Sequence, residues 1–309
     1  MAEDDKVLVL GEDVADREGG GVTGATAGLS TRFGDDRVKS TPISEQAIIG
    51  AAIGAALAGY KPVAEIMLMN FTTVAMDMIF NHAAKLRFMS GGQSTVPITI
   101  RTLTGAGWQT AGQHADHLEG WFAHTAGIKV VAPSTPADYK GLLLSCIQDP
   151  DPCIFIESAG SLFIPGEVDE VATPIPLGKA RIVQEGSDIT IVSWSSQLLR
   201  CQAALPALAE AGISVELVDL RTVSPWDREA VLASVAKTGR ALVVHEAVRD
   251  FGPGGEIAST IAEELFGQLK APVRRLGAPK SPVPFAKVLE DAYIVSPERV
   301  AETVKALMA

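Results

Sequence analysis

A single carboxylate opens one of the most apolar stretches of the sequence. Glu45 is the only acidic side chain in TPISEQAIIGAAIGAALAGY, residues 41–60. Ser44 is predicted to cap a helix, which places Glu45 in the first turn, where the helix dipole stabilises a carboxylate by about 0.3–1 kcal/mol. That electrostatic role is one interpretation. The other is proton transfer, and the residues alone leave both interpretations open.

Small residues at Gly50, Gly54 and Ala58 give one face of the predicted helix almost no side chain. The other faces are Ile and Ala, so we expect the helix to be buried nearly all round. Burial would raise the pKa of Glu45 towards values useful in proton transfer.

Three histidines crowd the segment GQHADHLEGWFAH, residues 112–124. On a continuous helix His114, His117 and His124 would share a face only loosely, and no Cys or carboxylate stands nearby at ligand spacing, which disfavours a metal site. A loop after the strand predicted at 96–101 would instead lie where parallel sheets bind ligands. His114 is the predicted acid, base or hydrogen-bond donor, and His124 is predicted to be a structural histidine with its hydrogen bonds satisfied.

Other candidates also follow predicted strands. Glu12 in GEDV faces either a turn or a ligand, and Met67 and Phe71 in EIMLMNF form either core or a pocket wall. DPDPC, residues 149–153, is either a plain turn or a loop whose carbonyl groups hold a cation.

Alternating strands and helices must position these residues. The pattern predicts an α/β fold of two doubly wound, mostly parallel sheets, with domains at 1–165 and 187–309 and a Pro- and Gly-containing linker at 166–186. The predicted strands are 6–13, 62–67, 96–101, 128–133, 153–157, 189–194, 214–220, 241–246 and 272–277. The predicted helices are 45–59, 70–89, 117–125, 136–148, 197–211, 226–237, 254–267 and 297–308.

Composition excludes several classes of protein. A net charge of −11 argues against nucleic acid or an anionic membrane as partner. Three cysteines without disulfide spacing, and no visible signal peptide, predict a cytoplasmic protein. No G-x-x-x-x-G-K-[ST] loop and no Gly-Asp-Gly motif with a paired asparagine stands in the sequence, so the chain has no obvious phosphate site of its own.

The motifs together resemble a known family. The chain resembles the beta subunit of the decarboxylating component of 2-oxo acid dehydrogenase complexes. The resemblance is carried by LGEDV, TPISEQAIIGAAIGAALAGYKPVAEIM, the histidine segment with its continuation to CIFIE, LRTVSPWD and FGPGGEIA. The resemblance implies a transketolase-like fold, with a pyrimidine-binding domain and a transketolase C-terminal domain. It also implies thiamine diphosphate at the interface with an alpha subunit that holds Mg²⁺ and the diphosphate.

The resemblance assigns roles to individual residues. Glu45 matches the glutamate that hydrogen-bonds the aminopyrimidine, Phe71 packs beside that ring, and Glu12 and Met67 line the pocket. His114 matches a histidine implicated in acyl transfer to a lipoyl group. A monovalent cation, usually K⁺, would bind the backbone carbonyl groups of Ile98, Cys146, Ile147, Asp149 and Asp151.

The implied function is that of a beta subunit in an α₂β₂ enzyme that decarboxylates a 2-oxo acid, or cleaves acetoin, and acylates a lipoyl-bearing acyltransferase. The alternatives are a transketolase-like transfer of a two-carbon ketol unit from a ketose phosphate to a carrier protein, and a non-catalytic scaffold chain. His117 departs from the small or apolar residue usual in the family, and Val74 and Trp108 also depart, so the acyl substrate stays open.

Overall fold

The computed structural model describes all residues from Met1 to Ala309 and contains two mostly parallel sheets covered by helices. The first half contains β1 (Val7–Glu12), α1 (Leu29–Phe33), β2 (Val38–Thr41), α2 (Glu45–Leu57), β3 (Lys61–Leu68), α3 (Leu86–Met89), β4 (Thr99–Thr104), α4 (Glu119–Ala123), β5 (Lys129–Val131), α5 (Pro136–Gln148) and β6 (Cys153–Ser158). The second contains β7 (Arg181–Gln184), β8 (Ile189–Ser193), α6 (Ser195–Glu210), β9 (Val215–Asp219), β10 (Thr222–Ser224), α7 (Arg228–Thr238), β11 (Ala241–Val248), α8 (Gly254–Glu264), β12 (Arg274–Ala278), α9 (Lys287–Tyr293) and α10 (Pro297–Met308). The predicted two-domain α/β fold is confirmed.

The first sheet has seven strands in the order β10-β5-β6-β4-β3-β1-β2. Every pair except β10–β5 is parallel, so the carboxyl ends of β1, β3 and β4 lie at one edge. Apolar side chains fill these strands because helices cover both faces of the sheet.

The second sheet has five strands in the order β12-β11-β8-β9-β7. Only β7 runs antiparallel to its neighbour. It lies within the segment predicted as a linker, which therefore contains a strand. At the end of the chain α10 begins as predicted, because the Ser296 hydroxyl accepts a hydrogen bond from the Arg299 N–H.

The helix predicted over 70–89 is not continuous. The segment forms a 3₁₀ turn (Met69–Thr73), a π-helical stretch (Met78–Ala83) and the short α3. Side chains of this segment bond their own backbone, for example from the Thr72 hydroxyl to the Met69 carbonyl oxygen, which favours turns over a regular helix.

The two domains share a core. The largest apolar cluster contains Phe122 and Val130 from the first half together with Trp194 and Val218 from the second. β10, which comes from the second half, adds a strand to the first sheet. None of the helices has the length and apolar character needed to cross a bilayer.

Candidate active site

Candidate residues from three strands gather at one edge of the first sheet. Glu12 ends β1, Phe71 lies in the turn after β3, and His114 lies in the loop after β4. Because these strands are parallel, their carboxyl ends form the edge where α/β proteins bind ligands. The predicted loop setting of His114 is therefore confirmed.

Glu45 is the first residue of α2 and belongs to the same edge. Ser44 precedes it but does not cap the helix, because its hydroxyl donates to the Pro42 carbonyl oxygen at 3.0 Å. That prediction was wrong. The local proline turn offers the hydroxyl a nearer acceptor than the helix has to give.

Glu12 feels the charge of Glu45. Burial is the main cause that raises the pKa of Glu12, and the charges of Asp13 and Glu45 raise it further. A carboxyl group with a raised pKa at a ligand-binding edge is a candidate for proton transfer.

An open groove of about 640 Å³ lies along the start of α2. Glu45 lines it beside Ile43 and Val74, which are 75% and 56% exposed. A carboxylate between exposed apolar side chains fits a flat heterocycle with a ring nitrogen to hydrogen-bond.

The exposed side of α2 differs from the prediction. The helix is not buried all round: Gly54 and Ala58 are exposed, and Leu57 is 50% exposed. A Cβ atom built on Gly54 would meet nothing within 4 Å, while one on Gly50 would contact the Met78 sulfur at 3.6 Å. The helix therefore presents a bare apolar face to its surroundings.

Phe71 and His114 are in contact. Their ring centroids lie 5.5 Å apart in an edge-to-face arrangement. Beside them the Asn70 amide donates to Asp116 Oδ2 at 2.8 Å and accepts from the Asp116 N–H at 3.2 Å. The turn after β3 and the loop after β4 are thus joined next to His114.

Met67 lies near the end of β3, half-buried. The pairing of β3 with β4 is irregular between Glu65 and Leu68, so the strand departs from regular pleating at Met67. An irregularity of this kind re-aims a side chain at the end of a strand.

The other two histidines differ from each other. His124 is exposed at the end of α4, so its prediction as a satisfied structural histidine was wrong. His117 is buried between the carboxylates of Glu119 and Glu246, the second of which belongs to β11. Nowhere in the chain do three or more His, Cys, Asp or Glu side chains converge as metal ligands.

The predicted cation loop lies away from this site. Ile98 precedes β4, and Asp149 and Asp151 precede β6, so the loop is at the amino ends of the strands. Lys129 Nζ lies 2.5 Å from Asp149 Oδ1 and 3.4 Å from Asp151 Oδ2.

Two carbonyl groups of the predicted cation loop already accept hydrogen bonds from backbone N–H groups. The carbonyl oxygen of Ile98 accepts from the Cys153 N–H at 2.9 Å, and that of Cys146 accepts from the Asp149 N–H at 3.3 Å. Cys146 and Ile147 lie in the last turn of α5, whose terminal carbonyl groups are available to a cation.

Sequence reasoning missed a buried ionic group that lies on three adjacent strands of the first sheet. Arg101 donates to Glu157 Oε1 from Nε at 2.9 Å and from Nη2 at 2.7 Å, and to Glu65 Oε2 from Nη1 at 2.9 Å. The signal was available, since each of three apolar strands carries one charged residue: PVAEIM, VPITIR and CIFIE.

Comparisons with known proteins match both halves of the chain. The transketolase pyrimidine-binding domain family matches residues 1–163, and the transketolase C-terminal domain family matches residues 178–300. A split-gene transketolase, described as an inactive beta4 tetramer, has the same fold, with a TM-score of 0.80 at 21% identity; the match covers 99% of this chain and 93% of that one.

Curated relatives are similar over the full chain. The beta subunit of acetoin:2,6-dichlorophenolindophenol oxidoreductase from Cupriavidus necator is 45% identical, over 100% of this chain and 93% of its own. The pyruvate dehydrogenase E1 beta subunit of Bacillus subtilis is 43% identical, over 100% and 94%. The mitochondrial 2-oxoisovalerate dehydrogenase beta subunit of Dictyostelium discoideum is 44% identical, over 100% and 83%.

Proposed function

We propose which subunit binds each end of the cofactor from the premise that this chain belongs to the E1 beta subunits of the 2-oxo acid dehydrogenases. These are transketolase-like oxidoreductases that use thiamine diphosphate. In our proposal the chain binds the pyrimidine end of the cofactor in the groove of Glu45. An alpha subunit binds the diphosphate and Mg²⁺, and two copies of each form an α₂β₂ enzyme.

The observation that carries this proposal is the chemistry of the α2 groove. In the groove, Glu45 offers a carboxylate to a ring nitrogen between the apolar side chains of Ile43 and Val74. Outside the groove, at the same edge of the sheet, Phe71 offers an aromatic ring and Glu12 a carboxyl group with a raised pKa. The chain has neither a phosphate loop nor a cluster of metal ligands, so its residues fit the pyrimidine end and not the diphosphate end.

When bound, thiamine diphosphate would supply a nucleophilic thiazolium carbon and an electron sink for the substrate. Glu45 holds a proton at the pyrimidine nitrogen, and the exposed apolar residues Ile43 and Val74 exclude water once the partner covers them. Met67, half-buried near the end of β3, is proposed as a further residue beside the cofactor.

His114 is proposed as the proton donor to the departing sulfur of a lipoyl group carried by an acyltransferase. Its place beside Phe71 is compatible with this task, because the loop lies at the ligand edge of the sheet and the ring is only half-buried. The acyl donor is proposed to be a small 2-oxo acid such as pyruvate, or acetoin.

A monovalent cation such as K⁺ is proposed at the backbone carbonyl groups of Ile98, Cys146, Ile147, Asp149 and Asp151. Its role would be structural, since it would join the end of α5 to the starts of β4 and β6. We further propose that the functional division falls at 1–165 and 187–309, and that the enzyme works in the cytoplasm.

Replacement of Glu45 tests the proposal. In enzyme reconstituted with its alpha subunit, Glu45→Gln should lower hydrogen–deuterium exchange at the thiazolium carbon by about 10²–10⁴-fold, since a positioned acid–base group contributes that much. Binding of thiamine diphosphate, measured by calorimetry, should persist. Glu210→Gln, an exposed carboxyl at the end of α6, is the matched control.

Exchange at the wild-type rate in Glu45→Gln would refute the role of Glu45. Wild-type enzyme, reconstituted with its alpha subunit and assayed with a panel of 2-oxo acids, acetoin and ketose phosphates, identifies the substrate class. Turnover of ketose phosphates alone would refute the dehydrogenase assignment and support ketol transfer.

A further inference from the structure

A cluster of buried charged side chains lies at the end of the loop that carries His114. His117 Nδ1 lies 3.3 Å from Glu119 Oε2, and His117 Nε2 lies 3.2 Å from Glu246 Oε1. The three side chains are 4%, 1% and 7% exposed. These contacts are ion pairs when the imidazole is protonated, and Nε2 makes no hydrogen bond of regular geometry.

One carboxylate oxygen holds both ends of this loop. Glu246 Oε1 accepts the Ala106 N–H at 3.0 Å and also faces His117, so the chain between these two residues closes into a ring. Ser196 donates to the other oxygen of Glu246. The close approach needs a glycine before Ala106, since a Cβ atom on Gly105 (φ +116°) would lie 3.2 Å from Glu246 Oε1.

A second carboxylate from the C-terminal domain holds the middle of the loop. Glu290 Oε1 accepts the Gly107 N–H at 2.7 Å and the Gln109 N–H at 3.1 Å. With Asn70 bonded to Asp116 on the other side, His114 lies in a loop fastened to both domains.

The cluster needs a cation, and His117 is the group that supplies it. Neither carboxylate oxygen of Glu119 accepts a hydrogen bond, and an isolated buried charge costs several kcal/mol unless a partner neutralises it. Neighbouring His245, stacked on Trp194, cannot serve, because burial lowers its pKa to about 4.

The protonation of His117 follows from its surroundings. Burial lowers the pKa of His117, but the charges of Glu246 and Glu119 outweigh burial and hold that pKa well above its usual range. The other polar or titratable groups that surround the cluster are Asp116, Ser196, His245, Arg275, Glu290 and Tyr293. Among those with a shifted pKa, His245 is neutral above about pH 4, and Tyr293 stays neutral because burial raises its pKa to about 12.

We propose that His117 is a positioning residue, whose imidazolium closes the 106–117 loop on Glu246 and thereby sets His114 at the ligand edge. The inference rests on the function proposed above for His114. A displaced His114 should affect two half-reactions differently. Acyl transfer to a lipoyl group needs His114 in place, whereas reduction of an artificial acceptor such as dichlorophenolindophenol needs only the cofactor and the substrate.

Two variants and one control test the proposal. His117→Gln removes the cation and leaves Glu119 charged, and His117→Gln/Glu119→Gln removes both charges, so that a folded protein is available if the single variant unfolds. His124→Gln is the matched control, since His124 is exposed on the neighbouring α4. All are compared in the beta chain and in the reconstituted enzyme.

Amide hydrogen exchange of the beta chain is the first readout. The Ala106, Gly107 and Gln109 amides should exchange at least about tenfold faster in both His117 variants than in wild type at pH 7, and the control should match wild type. In wild type this protection should be complete below the unfolded-state pKa and should fade as the pH rises through the raised folded pKa. The variants should lack that dependence once intrinsic exchange is corrected for.

The second readout is the ratio of the two half-reactions. Acylation of a lipoyl domain should fall about tenfold or more relative to dichlorophenolindophenol reduction, because small displacements of a catalytic group cost large factors. Unchanged loop exchange in both variants, or an equal fall in both half-reactions, would overturn the proposal. If wild-type enzyme turns over no 2-oxo acid or acetoin, the proposed function fails, while the exchange result still judges the role of His117.

Discussion

At the scale of single residues, the buried Arg101 is the cation on which two strands depend. Glu65, Arg101 and Glu157 are 5%, 6% and 6% exposed, and they lie on the adjacent strands β3, β4 and β6. Burial raises the pKa of Glu65, with Arg101 acting against that rise. The guanidinium therefore opposes the effect of burial on Glu65 and donates hydrogen bonds to both carboxyl groups inside the sheet.

Arg101→Met should destabilise the chain by about 3–5 kcal/mol at pH 7, because it leaves two buried carboxylates without a cation. Urea denaturation of the beta chain measures this cost. The raised pKa of Glu65 fixes the sign of the pH dependence. In the variant Glu65 loses the charge that lowers its pKa and takes up a proton more readily, so the cost should shrink as the pH falls from 7 towards 5. Arg299→Met, on the exposed face of α10, should change stability by less than about 0.5 kcal/mol. A cost that does not vary with pH would contradict the role of charge.

At the scale of elements, the sequence predicted the helices and strands whose apolar residues recur at a regular spacing because one face is buried. α5, Pro136–Gln148, has the predicted bounds, because a Pro at its first position and the Thr135 side-chain cap mark its start. The broken helix at 70–89 could not be predicted, since its course depends on contacts such as that of Asn70 with Asp116, far along the chain. Short strands such as β10 form only because a partner strand is present.

The candidate site, too, was predictable from the sequence only in part. The strand ends placed Glu12, Phe71 and His114 at one edge, because parallel strands share their polarity. The partners of His117 could not be predicted, since Glu246 comes from the other domain and no local pattern encodes that meeting.

The exposed face of α2 gives a prediction at this scale. Gly54→Leu should leave the beta chain as stable as wild type or raise its stability by up to about 1 kcal/mol, because Gly is a poor helix former and the position is open. The same change should weaken association with the alpha subunit by about tenfold or more, since a bare helix face admits a partner backbone closely. Thermal unfolding and analytical ultracentrifugation measure the two effects.

Ala209→Leu, at an exposed position of α6, is the control for Gly54→Leu and should affect neither property. Normal assembly of Gly54→Leu would show that this face of α2 does not contact the partner.

At the scale of the whole molecule, an ionic network joins the domains beside their shared core. Asp138, in the first turn of α5, is fully buried and lies 2.8 Å from Arg221 Nη2 and 3.3 Å from Arg181 Nη2. Arg181 also lies 3.1 Å from Asp219, which accepts from the Ser134 hydroxyl at 3.0 Å. Burial and then the charge of Asp138 raise the pKa of Asp219 to about 6, and the charge of Arg181, the hydrogen bond from Ser134 and the charge of Arg221 oppose that rise.

Asp138→Ala should therefore cost about 3–5 kcal/mol, because it leaves the guanidinium groups of Arg181 and Arg221 without their buried partner. The cost should appear in both domains at once. The apolar cluster that contains Phe122 and Trp194 is continuous, and β10 remains in the first sheet, so the chain should still unfold in one transition. Native-state hydrogen exchange in β4 and β8 should report equal losses, whereas Asp36→Ala, at a fully exposed carboxylate, should change neither strand. Loss of protection in β4 alone would show that the domains are held together less by the shared core than by this network.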